Sequence, residues 1–122
     1  MIVFISGPMT GHPNYNWPSF DIAAVRLTWL GHTPINPAQI DRDLGLKPSD
    51  MGEALSRVDQ GLAMLRCATV ICMEAEAIYL LNGWTASKGA RAEYRLAIAL
   101  GLEILYESVG CSTSDEVTKE II

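Results

Sequence analysis

The stretch AIYLL, Ala77 to Leu81, constrains the fold most, because it is an unbroken apolar run closed by Asn82-Gly83. A strand with one face in water alternates apolar and polar residues. A continuous run bounded by turn residues therefore marks a strand covered on both faces. Sheets covered on both faces are built from parallel strands joined through helices. Ile2 to Ile5 is a second such run, ended by Gly7-Pro8, and Leu102 to Tyr106 reads as the next strand. His32 to Asn36 reads as a further short strand closed by Pro37.

The intervening segments have helical spacing. From Pro18 to Leu30 the apolar residues Phe20, Ala23, Ala24, Leu27 and Leu30 share one face, and Gly31 is a natural stop. Pro37 to Ser49 reads as a polar loop. Asp50 with Glu53 resembles a capping pair, opening a helical stretch to about Glu74 that is one helix bent near Gly61, or two. Ser87 to Leu100 is helical and stopped by Gly101, and Thr113 with Glu116 fits the cap of a last short helix. This alternation predicts an α/β fold with a parallel sheet in a single domain, residues 1–122. Ligands of such sheets sit beyond the carboxyl ends of the strands. Three loops leave those ends: Ser6 to Trp17, Pro37 onward, and Asn82 to Gly89.

Charge and cysteine content narrow the classes of function. Fourteen acidic against nine basic residues give a net charge of −5, and the cations are scattered singly, so a nucleic-acid backbone is not the expected partner. No apolar stretch approaches the roughly 18 residues of a membrane span, and no basic stretch precedes Met1 to Ile5 as in a secretory leader. A cytoplasmic protein without membrane attachment is expected. Cys67, Cys72 and Cys111 form no CxxC pair and have only two histidines for company, which predicts neither a disulfide framework nor a metal site.

Two segments can carry chemistry. In LLNGWTASKGARAEY, residues 80–94, a buried strand enters a glycine-containing loop and then a helix. Ser87 is a good N-cap, and the amides of Gly89 and Ala90 at the positive end of the helix suit a phosphate or carboxylate. Ser87 as a plain helix cap is the competing reading. Glu93, on the second turn, has Gly89, Ala90, Leu96 and Ala97 as helical neighbours, so no cation accounts for it. Small neighbours leave space above its carboxylate, which fits a nucleophile or general base as well as an idle, solvated side chain. The first loop, SGPMTGHPNYNWP, has glycines that allow close backbone approach to a ligand. Tyr15, Trp17, Tyr79 and Trp84 are aromatics able to stack on a base or to pack in the core, and His12 is a lone loop histidine. Asp41, Arg42 and Asp43 read as a solvated loop.

FISGPMTG at residues 4–11, Phe20 with Leu27 or Leu30, Gly31 and Asn36-Pro37, and AIYLLNGWTASKGARAEYRLAIALGLEI together resemble a family of small, often phage-encoded proteins. That family is related to nucleoside 2-deoxyribosyltransferases and nucleotide N-glycosidases, and the resemblance covers most of residues 2–106. It implies a Rossmann-like, three-layer fold around a central, mostly parallel five-stranded sheet. In the active relatives a glutamate attacks the anomeric carbon of the sugar, and water or a second base resolves the glycosyl-enzyme. The motif carries that glutamate onto Glu93 and the 5′-phosphate-binding serine onto Ser87, beside Gly89 and Ala90. Ser6, Gly7, Pro8 and Met9 fall on the loop that cradles base and sugar, with Trp84 as a further contact to the base. The resemblance implies no cofactor or metal, a nucleoside or nucleotide as small-molecule partner, and a homo-oligomer, dimer or larger.

Two positions depart from the pattern. Many active relatives have a tyrosine where this chain has Phe4. They also have an aspartate on the third helix that grips the sugar hydroxyls. Aligning ICMEAEAIYLL with the end of that helix puts Cys67 there, and Asp59, about two turns upstream, is the carboxylate that could serve instead. The resemblance thus implies N-glycosidic bond cleavage or deoxyribosyl transfer with Glu93 and Asp59 as the catalytic pair. The alternatives are a non-catalytic protein that sequesters a nucleotide and, last, a phosphoribohydrolase acting on cytokinin-like nucleotides, whose glycine-run loop NGWTASKGA only loosely matches.

Overall fold

A computed structural model of the chain describes residues 1–51 and 55–107. Four strands form one parallel sheet: β1 (Ile2–Ser6), β2 (Thr33–Ile35), β3 (Ala77–Leu80) and β4 (Glu103–Tyr106), in the order β2-β1-β3-β4. The two strands built on unbroken apolar runs, β1 and β3, are the central ones, as their lack of alternation requires. Val3, Phe4, Ile5 and Ser6 are buried without exception, as are Ala77 to Leu80. Chain order reverses direction between β1 and β3, and a crevice opens at their carboxyl ends.

The period of two along β1 separates two cores. Val3 and Ile5 meet Trp17, Phe20, Ala23 and Leu27 of helix α1 (Trp17–Trp29) on one face. Phe4 turns to the other face, into a cluster with Ile71, Ile78, Leu80, Ala97 and Tyr106. That face is covered by α3 (Arg57–Met73) and α4 (Lys88–Ala99). Each large apolar side chain buried this way stabilises the fold by roughly 1.5–3 kcal/mol. Ser6 continues the alternation, so its hydroxyl emerges on the α4 side at the very end of β1.

The expected helix from Pro18 to Leu30 is α1 almost as drawn. Pro18 lies in its first turn, where a missing N–H costs nothing, and Gly31 ends it at a φ of +88°. The strands and α4 also fall where the pattern put them. Three readings need correction. Pro37 to Ser49 is not a loop throughout: Pro37–Asp43 is helix α2, capped by the Asn36 side chain, which accepts from the Ala38 amide. Asp50 does not open the long helix. Its carboxylate accepts from the Lys47 amide and closes a 3-10 turn, Pro48–Asp50, while Glu53 lies outside the described residues. Helix α3 begins later, at Arg57, capped by Ser56, whose hydroxyl accepts from the Asp59 amide, and it runs unbroken past Gly61.

The described residues contribute four strands and four α-helices; a fifth strand is not among them, and the Thr113–Glu116 cap lies outside them. Among the described residues no helix is long and apolar enough to cross a membrane. Helix α3 is unusual in burying only Ile71, while Val58, Leu62, Leu65 and Cys72 stay exposed along one helical stripe.

Candidate functional site

Helix α4 starts just beyond β3, so its first two turns overhang the carboxyl end of the sheet. Ser87 caps it: the Oγ accepts from the Ala90 amide at 3.2 Å. That bond uses one of the two amides expected to face a ligand. By helix geometry the Lys88 and Gly89 amides have no intrahelical acceptor, and the Ser87 hydroxyl keeps its own proton to donate. An added Cβ on Gly89 would meet nothing in the protein within 4 Å, so the space beside it is open.

One and a half turns on, Glu93 points back at the end of β1. Ser6 Oγ, fully buried, donates to Glu93 Oε1 at 2.5 Å, a short hydroxyl–carboxylate bond. Burial pushes the Glu93 carboxyl up to about pH 7, against the Ser6 hydroxyl and the Cys67 thiol, which both favour its charged form. Cys67, from α3, lies against Glu93. Burial first, then the carboxyls of Glu93 and Asp41, push that thiol up to about 12. It is therefore a neutral donor at physiological pH rather than a nucleophile.

Glu93 and Cys67 line a cavity of about 460 Å³, a size that accommodates a small organic ligand. Gly7, Met9, Thr10 and Tyr15 come from the loop after β1. Pro37, Ile40 and Asp41 come from α2, and Ala63, Met64, Arg66 and Cys67 from α3. Ser87 to Ala90 and Glu93 complete the wall from α4. Tyr15 reaches it through an uncommon backbone: Asn14, Tyr15 and Asn16 have φ of +53°, +53° and +60°. Left-handed geometry costs a non-glycine residue about 1–2 kcal/mol. Here it is held by the Asn16 side-chain amide, which donates to the Pro8 carbonyl at 2.7 Å.

The residues expected at a site from the sequence separate into two groups. Glu93, Ser87, Gly89, Ala90, Gly7 and Met9 converge on the cavity, and Ser6 holds Glu93 rather than lining the wall. Pro8, within the same loop, is buried and does not line the cavity. Trp84 is not in the cavity. Gly83, at a φ of +87°, turns the chain so that the indole packs 4.7 Å from the Tyr94 ring, with Tyr106 at 6.3 Å. Trp17 and Tyr79 belong to the α1-side core. Asp59 is also elsewhere: it sits exposed on the first turn of α3, its carboxylate accepting from the Ser56 hydroxyl. The structure places Cys67, not Asp59, beside Glu93.

Gly7 has a steric reason of its own. A Cβ there would come within 2.7 Å of the Leu81 Cβ, so the glycine permits the close approach of the first loop to the end of β3. The residue missed from sequence is Asp41. Read as loop, it is 7% exposed on the inward side of α2, with Arg66 Nη2 3.9 Å from its Oδ1. Burial raises its carboxyl above the usual range while Arg66 opposes the shift. The Asn36-Pro37 pair, an N-cap followed by proline at the first helical position, was the signal for that helix.

Residues 1–106 match the family described as Domain of unknown function (DUF4406). The chain belongs to this family. Among curated proteins nothing matches. The DUF4406 match spans all four strands and all four helices, so every residue that lines the cavity lies within the family domain. Among the described residues no group of three or more His, Cys, Asp or Glu side chains is placed to hold a metal ion. The chemistry on offer in this DUF4406 chain is a carboxyl pushed up to about 7 by burial, beside a helix N-terminus that favours an anion.

Proposed function

We propose that the cavity binds a nucleoside or nucleoside 5′-monophosphate and that Glu93 cleaves its N-glycosidic bond, by hydrolysis or deoxyribosyl transfer. The observation that carries this reading is the Ser6–Glu93 pair, a carboxyl held rigidly at the cavity wall and poised near neutrality. In the reaction a Glu93 oxygen attacks the anomeric carbon and the bond from that carbon to the base nitrogen breaks. The electron pair leaves with the base, which takes up a proton. Water, or a second base, then attacks the same carbon and frees the carboxylate.

The start of α4 supports a place for the 5′ side of the sugar. Ser87 and the Lys88 and Gly89 amides would donate to a phosphate, reinforced by the helix dipole. The loop from Gly7 to Tyr15 would cover base and sugar. Asp59 has no part in this reading, since its carboxylate is engaged at the start of α3. The five-stranded Rossmann-like fold of the nucleoside 2-deoxyribosyltransferase-like enzymes is likewise part of the proposal, as is a homo-oligomer joined through the exposed stripe of α3 near the cavity. Phe4, buried in the core, and Cys67, beside Glu93, stand where those enzymes carry a tyrosine and an aspartate. These two positions favour the second reading, a nucleotide-binding protein that sequesters its ligand without cleaving it.

Chromatography of nucleosides and 5′-monophosphates incubated with the protein separates the two readings. Free base that disappears in Glu93→Ala is the expected outcome. Tight nucleotide binding without release favours sequestration, and no binding in calorimetry sinks both.

A further inference from the structure

The proposed chemistry leaves Asp41 unused, although its carboxylate is among the most buried polar groups of the described residues. Among those residues it accepts no hydrogen bond, and its nearest charged neighbour is Arg66, at 3.9 Å. Asp41 lines the cavity and its oxygens are open to that space, so a ligand that displaces solvent there must supply donors in its place. The same cavity wall carries the apolar side chains of Ile40, Met51 and Leu55, together with the polar Gln60.

On the nucleotide reading, the sheet order gives the ligand a direction. Helix α4 follows β3 and α2 follows β2, with β1 between them. A ligand whose anionic end sits at Ser87 and whose sugar lies over Glu93 therefore runs across the end of β1 and ends at α2. Its far end is the base. A carboxylate offers two acceptor oxygens and no donor, so it pairs best with two adjacent N–H groups. Among the common bases guanine presents that edge, a ring N–H next to an exocyclic amine. Hypoxanthine keeps the ring N–H and lacks the amine.

Resting on the nucleotide reading above, we infer that Asp41 is the specificity residue for the base and that the cavity selects guanine nucleotides. Arg66, 3.9 Å from Asp41, favours the charged form of its carboxylate, and the apolar residues of the cavity wall cover the faces of the base.

Calorimetry on Glu93→Gln, which keeps the shape of the pocket and removes the nucleophile, tests this with guanosine and inosine 5′-monophosphates. The guanine nucleotide is expected to bind about tenfold more tightly, the scale set by one lost charge-assisted hydrogen bond. Adding Asp41→Asn, which turns one acceptor into a donor at constant shape, is expected to bring the two affinities within about twofold of each other. A ratio near one without the second substitution overturns the assignment, and so does a ratio that Asp41→Asn leaves unchanged. Base release by the unsubstituted protein is scored separately. Release without guanine preference removes Asp41 and leaves the Glu93 chemistry standing. Preference without release leaves Asp41 standing and removes the chemistry.

Discussion

Glu93 titrates near pH 7 because its carboxyl is buried, and Ser6 and Cys67 limit the rise by favouring the charged form. Attack needs the carboxylate, so kcat/KM is expected to rise with pH along a limb centred near 7. Ser6→Ala deletes a hydrogen bond to the charged form, and the limb is expected to move to higher pH; a limb that stays put contradicts the pairing. The same carboxyl destabilises the fold when it ionises. Its folded value lies above the ordinary 4.5, so the folded state holds the proton more tightly between about pH 4.5 and 7. Stability is therefore expected to fall as pH rises across that window, by up to about 3 kcal/mol, and to fall less in Glu93→Gln. Melting temperature against pH reads the difference. Cys67, raised to about 12, is expected to resist iodoacetamide at pH 8 while the exposed Cys72 is alkylated, as peptide mass spectrometry would show. Glu93 and Ser87 were legible in the sequence because both lie on one regular helix after an unmistakable strand. Asp59 was misplaced because helical spacing alone could not say whether Asp59 or Cys67 faces Glu93.

At the scale of elements, glycines at the two sides of the crevice serve different ends. Gly7→Ala is expected to destabilise the protein by about 1–3 kcal/mol, because the new methyl meets the Leu81 Cβ at 2.7 Å. Gly89→Ala is expected to leave the melting temperature unchanged or raised, since nothing in the protein meets the added carbon, and yet to weaken nucleotide binding by filling the anion end of the cavity. Equal stability losses at both sites would contradict that division. The sheet and three helices followed from runs and periods in the sequence. Helix α2 did not, because PAQIDRD is short and mostly polar, and its hydrophobic content is too small to show a period. Missing α2 also hid Asp41, whose burial depends on which side of that helix faces inward. The backbone of Asn14, Tyr15 and Asn16 was likewise unreadable, since tertiary contacts rather than local preference hold it left-handed.

For the whole molecule, the exposed apolar stripe of α3 is, among the described residues, a surface still to be accounted for. Val58, Leu62 and Leu65 are 68%, 48% and 60% exposed along one stripe, and contiguous exposed apolar patches mark interaction surfaces. In the proposed homo-oligomer that stripe is covered by a second copy. Light scattering is expected to give a dimer or larger, and Leu62→Glu with Leu65→Glu a folded monomer; a monomeric unsubstituted protein at micromolar concentration would remove the proposal. The central claim concerns a covalent bond at one residue, and intact-protein and peptide mass spectrometry reads it directly. After incubation with a nucleotide fluorinated at the sugar 2′ carbon, which slows release of the sugar from the enzyme, a pentose-phosphate adduct is expected on the peptide containing Glu93. Base released without that adduct, or an adduct on any other residue, would contradict Glu93 as the nucleophile.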